Sequence, residues 1–292
     1  MVVLITGGSG FIGRKLSSSL AEEGHEVRIL TRKKRSIPNV KEFFWSDDDI
    51  EDGALDGIDA LIHLAGESIA GGRWTKRRKT EIIESRTKTL RLLSGKIVKC
   101  PILIGASGVG FYGGDRGEEL LTENSSSGQD FLAQCCQLWE AEERAFADRH
   151  SSRLVIIRTG VVLDEKQGAL PKMAAPIQYG FGANLGSGKQ WISWIHLDDL
   201  INIYKKALAD SAVLGIINAV SPSPIRHSEF NKLVAKKLNR GILLLGIPTF
   251  ILNMALGEMS VLVLGSTKVE SNCRQEWKYP TLDKALDEIY RR

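Results

Sequence analysis

An α/β fold, with a doubly wound parallel sheet and a smaller C-terminal lobe, is what this 292-residue sequence predicts. Three observations lead there. Short apolar runs rich in β-branched residues alternate with helix-like segments through the first two-thirds of the chain. The first run, VVLIT, opens directly onto the glycines Gly7, Gly10 and Gly13, spaced three apart. After about Gly160 the alternation gives way to glycine-rich loops and short helices. Strands joined by crossover helices pair in parallel with helices on both faces, and ligands gather at their carboxyl ends.

The alternation predicts strands at Val2-Thr6, Glu26-Thr31, Val40-Trp45, Asp59-Leu64, Pro101-Ala106 and Leu154-Arg158, with helices over 11–23, 75–95 and 130–149. Residues 1–165 then form an NAD(P)-binding Rossmann domain. Residues 166–292 form a substrate-side lobe, interleaved with the last sheet elements. No internal repeat or low-complexity tract interrupts this plan.

The first loop has a physical role if Phe11 starts a helix. Gly7 permits a tight turn, Gly10 lets backbone amides approach a pyrophosphate, and Gly13 allows close helix-to-strand packing. Phe11 and Ile12 then carry the first amides of a helix N-terminus, which favours an anion. The second strand ends beside the adenosine ribose, where an Asp or Glu would bind both hydroxyls of NAD. Here Thr31 is followed by Arg32 and Lys33 instead, a pair of cations suited to the 2′-phosphate of NADP. A solvated basic turn is the plainer reading of the same residues.

The composition narrows the partners. With 43% hydrophobic and 25% charged residues, the chain reads as an ordinary globular protein. Its most apolar region, Ile242 to Val263, is broken by Pro248, Asn253, Glu258 and glycines, short of the ~18 apolar residues of a membrane span. The chain enters its first strand without a basic leader, which predicts no export. Four cysteines without a CxxC pair predict reduced thiols and a cytoplasmic setting. Net charge is +4, concentrated in Arg32-Arg35 and Arg73-Lys79. Neither zinc-finger spacing nor an RNP-like aromatic pattern accompanies these runs, so no nucleic-acid partner is expected. Five histidines without HxH or HxxxH spacing predict no metal site. A small-molecule substrate is the remaining partner class, and nothing in the sequence indicates an oligomeric state.

TGGSGFIG (Thr6 to Gly13), DALIHLAG (Asp59 to Gly66), IGASGVGFYG (Ile104 to Gly113) and WIHLDDL (Trp194 to Leu200) resemble motifs of the extended and atypical short-chain dehydrogenases/reductases, which include nucleotide-sugar epimerases. LAGESI, Arg73-Trp74, Glu84-Ser85-Arg86, SGVGFYG, CQLWE, RTGVVL, GSGKQWISWIH and LGEMS are similar to one atypical branch, the epimerase family related to human short-chain dehydrogenase/reductase family 39U. The resemblance covers most of the chain. It implies NADP as cofactor, with Leu64 and Ala65 on the nicotinamide side and Glu81, Arg86 and Cys136 near the cofactor. It also implies that Ser107 matches the catalytic Ser or Thr of the wider family. A solvated helix charge at Glu81 and an ordinary buried thiol at Cys136 are the plainer alternatives.

One part of the pattern departs. The wider family carries a Tyr-x-x-x-Lys pair, whose lysine lowers the tyrosine pKa for proton exchange. Counting back from Glu140 puts Cys136 at the lysine position and Leu132 at the tyrosine position. Neither replaces its counterpart. Tyr112, five residues from Ser107, is a second candidate acid or base, with Arg86 as its candidate cation; as the alternative it is a pocket wall. Two function classes follow: an oxidoreductase or epimerase-like enzyme, and a non-catalytic NADP(H) sensor. His196 reads as a structural or pocket residue, with Asp198 or Asp199 capping the helix after it. Gly180 to Gln190 reads as a lid or a surface loop.

Overall fold

The computed structural model describes residues 1–46, 48–241, 246–273 and 275–291. Chain order begins β1 (Val2–Thr6), α1 (Phe11–Glu22), β2 (Glu26–Thr31), β3 (Val40–Phe44), β4 (Ala60–His63), α2 (Lys76–Lys96) and β5 (Ile102–Gly108). A 3-10 turn at Val109–Tyr112 leads to β6 (Asp115–Leu121), α3 (Phe131–His150) and β7 (Arg153–Thr159). Next come β8 (Val161–Leu163), α4 (Leu170–Gln178), β9 (Trp191–Ile192), β10 (Trp194–His196) and α5 (Leu197–Ala209). The chain continues with β11 (Gly215–Ala219), β12 (Ile225–Arg226), α6 (His227–Lys237), α7 (Thr249–Leu256), α8 (Val261–Leu264), β13 (Ser266–Val269) and α9 (Leu282–Ile289).

Seven parallel strands form the central sheet in the order β11-β7-β5-β4-β1-β2-β3. The order reverses between β1 and β4, which opens a crevice at their carboxyl ends. The expected doubly wound sheet is therefore present, and α1 begins at Phe11 as expected. β11 comes from the C-terminal segment, whose strand the sequence reading left unlocated. β5 runs past the expected Ala106 to Gly108, so Ser107 lies within the strand.

Alternation of side chains across β1 explains its unbroken apolar run. Val3 and Ile5 pack with Leu16 and Leu20 of α1 and with Leu200, Ile203 and Tyr204 of α5. Leu4 packs on the opposite side with Leu90 and Leu93 of α2 and Phe146 of α3. α2 and α3 begin one residue after the positions the sequence suggests, because those residues are caps. Thr75 Oγ1 accepts the Arg78 N–H at 3.2 Å, and Asp130 Oδ1 accepts the Ala133 N–H at 2.9 Å.

A second core joins the C-terminal helices. Leu170 and Ile177 of α4, Phe230 and Val234 of α6 and Leu286 of α9 surround the fully buried Trp194. The expected Asp198 or Asp199 cap on α5 is corrected: the cap is His196, whose Nδ1 accepts the Asp198 N–H at 3.1 Å. Both aspartates lie inside the first turn and are engaged elsewhere. Asp199 accepts the Lys278 and Tyr279 N–H groups at 2.9 and 3.0 Å, which ties the C-terminal segment to α5. Residues 242–245 of the apolar Ile242 to Val263 stretch lie outside the described residues. Among the described residues, no helix is long and apolar enough to cross a membrane.

α1 approaches the first loop closely enough that a Cβ on Gly13 would stand 2.2 Å from the Gly7 carbonyl oxygen. That oxygen is backbone, so the helix itself must shift. Gly13→Ala is expected to destabilise the chain by about 1–3 kcal/mol in denaturant titration. Unchanged stability would mean that α1 slides freely on β1.

Candidate functional site

The crevice at the carboxyl ends of β1, β2, β4 and β5 encloses a cavity of about 690 Å³. Its floor is the first glycine loop. Gly7 adopts φ +69°, and a Cβ there would stand 2.8 Å from the Leu64 carbonyl carbon. The Gly10 N–H donates to the Gly7 carbonyl at 2.9 Å, closing the turn. Gly10 is the N-cap residue of α1, with no side-chain cap and no acid in the first helical turn. First-turn amides left without a side-chain acceptor make an anion site.

The wall beyond β4 is pinned to this floor. Leu64 N–H donates to the Thr6 carbonyl at 3.1 Å, and Ala65 N–H donates to Thr6 Oγ1 at 3.3 Å. Thr6 Oγ1 lies 2.8 Å from His63 Nδ1, while His63 Nε2 lies 2.8 Å from the Arg86 carbonyl. These partners assign the proton to Nε2, which donates to that carbonyl, while Nδ1 accepts from Thr6. Burial lowers the His63 pKa to about 4, and the ring stays neutral.

Past β2, Thr31 Oγ1 accepts the Lys33 N–H at 3.2 Å and donates to the Lys33 carbonyl at 2.8 Å. This turn sends Arg32 toward the cavity, where its guanidinium reaches Glu67 at 3.5 Å. Lys33 is exposed and does not line the cavity. From α2, Arg78 reaches Glu81 at 3.3 Å and Glu67 at 3.5 Å. Hydrogen bonds from Arg77 and Arg78 hold the Glu81 carboxyl below its ordinary pKa.

The far end of the cavity rests on a buried polar network. Ser107 Oγ donates to Glu140 Oε1 at 2.9 Å. Arg158 clamps the same carboxylate through Nε at 2.8 Å and Nη2 at 2.9 Å. Arg158 is 2% exposed and Glu140 is fully buried. The guanidinium also lies 3.4 Å from the Phe111 ring centroid and donates to Tyr112 Oη at 3.0 Å. Tyr112 Oη in turn donates to Asn218 Oδ1 at 2.6 Å.

Among the candidate site residues, Gly7, Gly10, Phe11, Ile12, Gly13, Thr31, Arg32, Leu64, Ala65, Glu81 and Ser107 line one cavity. Arg86, Cys136 and Tyr112 do not. Arg86 is corrected as the cation of Tyr112. Its guanidinium stacks on Trp139 at 4.9 Å and donates to the Glu67 and Ile82 carbonyls, while Arg158 occupies the place beside the phenol. Tyr112 has no exposed surface, and burial outweighs Arg158 to push its pKa above the ordinary value. Cys136 packs behind the end of β5, where Sγ donates to the Gly108 carbonyl at 3.7 Å and burial pushes the thiol up to about 12. No residue from Gly180 to Gln190 lines the cavity. That stretch is tied down by paired bonds between Asn184, Gly186 and Ile247, and by Gln190 donating to the Val263 carbonyl.

The sequence reading missed Glu67, Arg78, Trp139, Thr159 and Tyr204, all of which line the cavity. Arg78 lay within the Arg73-Lys79 basic run and Trp139 within CQLWE, so both stood in segments already noted. Tyr204 offered no local signal, because its face of α5 reads as plain core. Among the described residues, no His, Cys, Asp and Glu cluster is suited to a metal ion.

Two outcomes follow from these buried charges. Arg158→Met strands the Glu140 carboxylate and is expected to cost about 3–5 kcal/mol in denaturant titration; a loss below 1 kcal/mol would mean that the pair is not buried. His63 binds its proton more weakly folded than unfolded, so its contribution is present above about pH 6.5 and is lost as pH falls toward about 4. The expected loss by pH 4 is on the order of 3 kcal/mol. His63→Gln should flatten the stability profile across that window.

Residues 3–219 match the model of the NAD dependent epimerase/dehydratase family, and residues 247–289 match a domain of unknown function, DUF1731. The chain is 36% identical over 271 residues to the epimerase family protein YfhF of Bacillus subtilis (strain 168), covering 90% of this chain and 88% of that protein. It is 35% identical over 305 residues to the chloroplastic SDR39U1 homolog of Arabidopsis thaliana, covering 99% and 86%. The solved structure of human epimerase family protein SDR39U1 (isoform 2) with NADPH superposes with a TM-score of 0.89 at 31% identity, covering 100% of this chain and 99% of that one. These matches bear out the resemblance read from the motifs.

Proposed function

Because the chain belongs to the NAD-dependent epimerase/dehydratase family, we propose that it binds NADP(H) in the crevice and acts as an oxidoreductase or epimerase-like enzyme on a small hydroxyl- or carbonyl-bearing substrate. One observation carries the cofactor reading. The uncapped, acid-free N-terminus of α1 and the guanidinium of Arg32 face one cavity, and Arg32 and Lys33 follow β2 with no acid between. The first-turn amides suit a pyrophosphate, and Arg32 suits a 2′-phosphate. The human relative was solved with NADPH, and this donor set fits the same cofactor.

When bound, the nicotinamide supplies hydride transfer. Ser107 donates its hydroxyl hydrogen bond to Glu140, so the oxygen's lone pairs are free to accept from an incoming group. It therefore accepts a hydrogen bond from a substrate hydroxyl and orients it. Tyr204 is 1% exposed at the cavity wall, and burial raises its pKa, which keeps the phenol protonated and able to donate a hydrogen bond. Trp139 lines the same cavity and adds an apolar surface beside Ser107. Four free cysteines suit a reducing cytoplasm.

A second reading has its own support. Leu132 and Cys136 stand where the wider family has its tyrosine and lysine, and both pack on Gly110 behind the cavity. Tyr112 is sealed away from it. A chain that binds NADP(H) without turnover, and reports its redox state, would use the same crevice.

On the enzyme reading, some metabolite fraction changes the absorbance of reduced nicotinamide, and Gly13→Ala abolishes the change. Binding of NADPH without turnover on any metabolite pool would favour the sensor. On either reading NADPH binds more tightly than NADH at moderate salt. Arg32→Ala should remove about 1.5–3 kcal/mol from NADPH binding in calorimetry and leave NADH unchanged. NADH binding at least as tightly as NADPH would sink the cofactor assignment.

A further inference from the structure

Glu67 holds an unusual position at the rim of the crevice. Its Oε1 faces Arg32 Nη2 and its Oε2 faces Arg78 Nη2, each at 3.5 Å. Two guanidinium groups from different elements thus converge on one carboxylate. Both distances exceed the 2.7–2.9 Å of a well-made charge-assisted bond. The carboxylate shares the two cations without fully satisfying either. Arg78 also carries a buried Nε with no hydrogen-bond partner among the described residues.

The backbone of residue 67 is held firmly. Its N–H donates to Ser85 Oγ at 2.9 Å, and its carbonyl accepts from Arg86 Nη2 at 3.1 Å. The side chain is freer, at 39% exposed, and Arg32 is 73% exposed. A swing of the carboxylate toward solvent therefore breaks two weak, screened pairs and leaves the backbone in place.

We propose that Glu67 is an internal counter-anion, displaced from Arg32 and Arg78 by the 2′-phosphate of the cofactor, and that it sets the affinity of this site for phosphorylated dinucleotides. The inference rests on the NADP(H) reading above and adds Glu67 and Arg78 to it. A phosphate dianion brings more charge and three acceptor oxygens, so it can satisfy both guanidinium groups where one carboxylate does not. Glu67 stays nearby because its backbone is fixed, and it competes throughout. Without Glu67, Arg32 and an Arg78 left with Glu81 at 3.3 Å would attract any small anion. With the carboxylate between them, an anion must bring further binding energy, which a dinucleotide supplies at the α1 N-terminus.

Calorimetric titration of the full chain with 2′,5′-ADP, 5′-AMP, NADPH and NADH tests the exchange. Glu67→Gln, which keeps the shape and the backbone contacts, is expected to bind 2′,5′-ADP and NADPH about tenfold more tightly, with 5′-AMP and NADH within about twofold of wild type. Glu67→Ala should change affinity in the same direction, which guards against a folding defect particular to one variant. Arg78→Met should weaken 2′,5′-ADP about tenfold and cancel the gain of Glu67→Gln in the double variant. If wild type prefers NADPH while both Glu67 variants bind 2′,5′-ADP no better than wild type, the counter-anion role is overturned and the cofactor reading stands. If wild type shows no preference for NADPH over NADH, the cofactor reading fails and takes this inference with it.

Discussion

The bidentate pair between Arg158 and Glu140 fixes the geometry of the Ser107 end of the crevice. Both groups are buried, and a charge removed from water is tolerated only when its lone pairs and protons are nearly all used. Here they are. Glu140 accepts from Ser107, Arg158 and Arg144, and Arg158 donates onward to Tyr112 and the Glu123 carbonyl. This one pair links β5, β7, α3 and the 3-10 turn after β5. Through Tyr112 and Asn218 it extends to β11 at the sheet edge. The hydroxyl of Ser107 is consequently oriented before any ligand arrives.

The same pair explains why the expected use of Tyr112 does not match its surroundings. A tyrosine serving as acid or base needs a cation beside it and access to the reacting atoms. Tyr112 has the cation but not the access, because the network that delivers Arg158 also seals the phenol. α3 packs against the loop after β5 at two glycines: a Cβ on Gly110 would stand 3.3 Å from Leu132 Cβ, and one on Gly108 3.9 Å from Cys136 Sγ. Two turns beyond Cys136, Glu143 lies against Gly105, and burial with the nearby Glu140 charge pushes its pKa well up. Protonated, it can sit close to the Glu140 carboxylate without adding a second buried negative charge.

What was legible in the sequence follows from how local each signal is. Six of the seven strands of the sheet, the start of α1 at Phe11 and the loop at Gly7, Gly10 and Gly13 are set by neighbours within a few residues, and they match the structure. Arg32 was legible for the same reason, since it directly follows a strand. Arg158 was not, because its partners lie on α3, on the turn at Val109–Tyr112 and in the loop after β6. An arginine ending an apolar strand carries no mark of a partner 18 residues away on a helix. His196 as a helix cap was hidden by the two aspartates after it, which are the commoner cap residues. Their carboxylates were already claimed by a segment 80 residues distant.

The two ends of the crevice hold charge in opposite ways, and this contrast bears on how the chain can work. At the far end every charge is locked: Arg158 and Glu140 are buried, bidentate and tied to β5 and β7, so that end is rigid and preorganised. At the near end Arg32, Glu67 and Arg78 form long, partly exposed pairs, which rearrange at little cost. The crevice therefore offers compliant charge at the Arg32 end and a fixed polar network at the Ser107 end. The rim pairs and the Ser107–Glu140–Arg158 network share no residue, so a rearrangement at the rim leaves the Ser107 hydrogen bond in place. On the proposed exchange, such a division lets phosphate recognition be tuned at residues 32, 67 and 78 while the orientation of the Ser107 hydroxyl stays constant. The same contrast explains why the Arg32 end is the easier to read: its determinants sit at strand and helix ends, whereas the Ser107 end depends on contacts that only the folded sheet brings together.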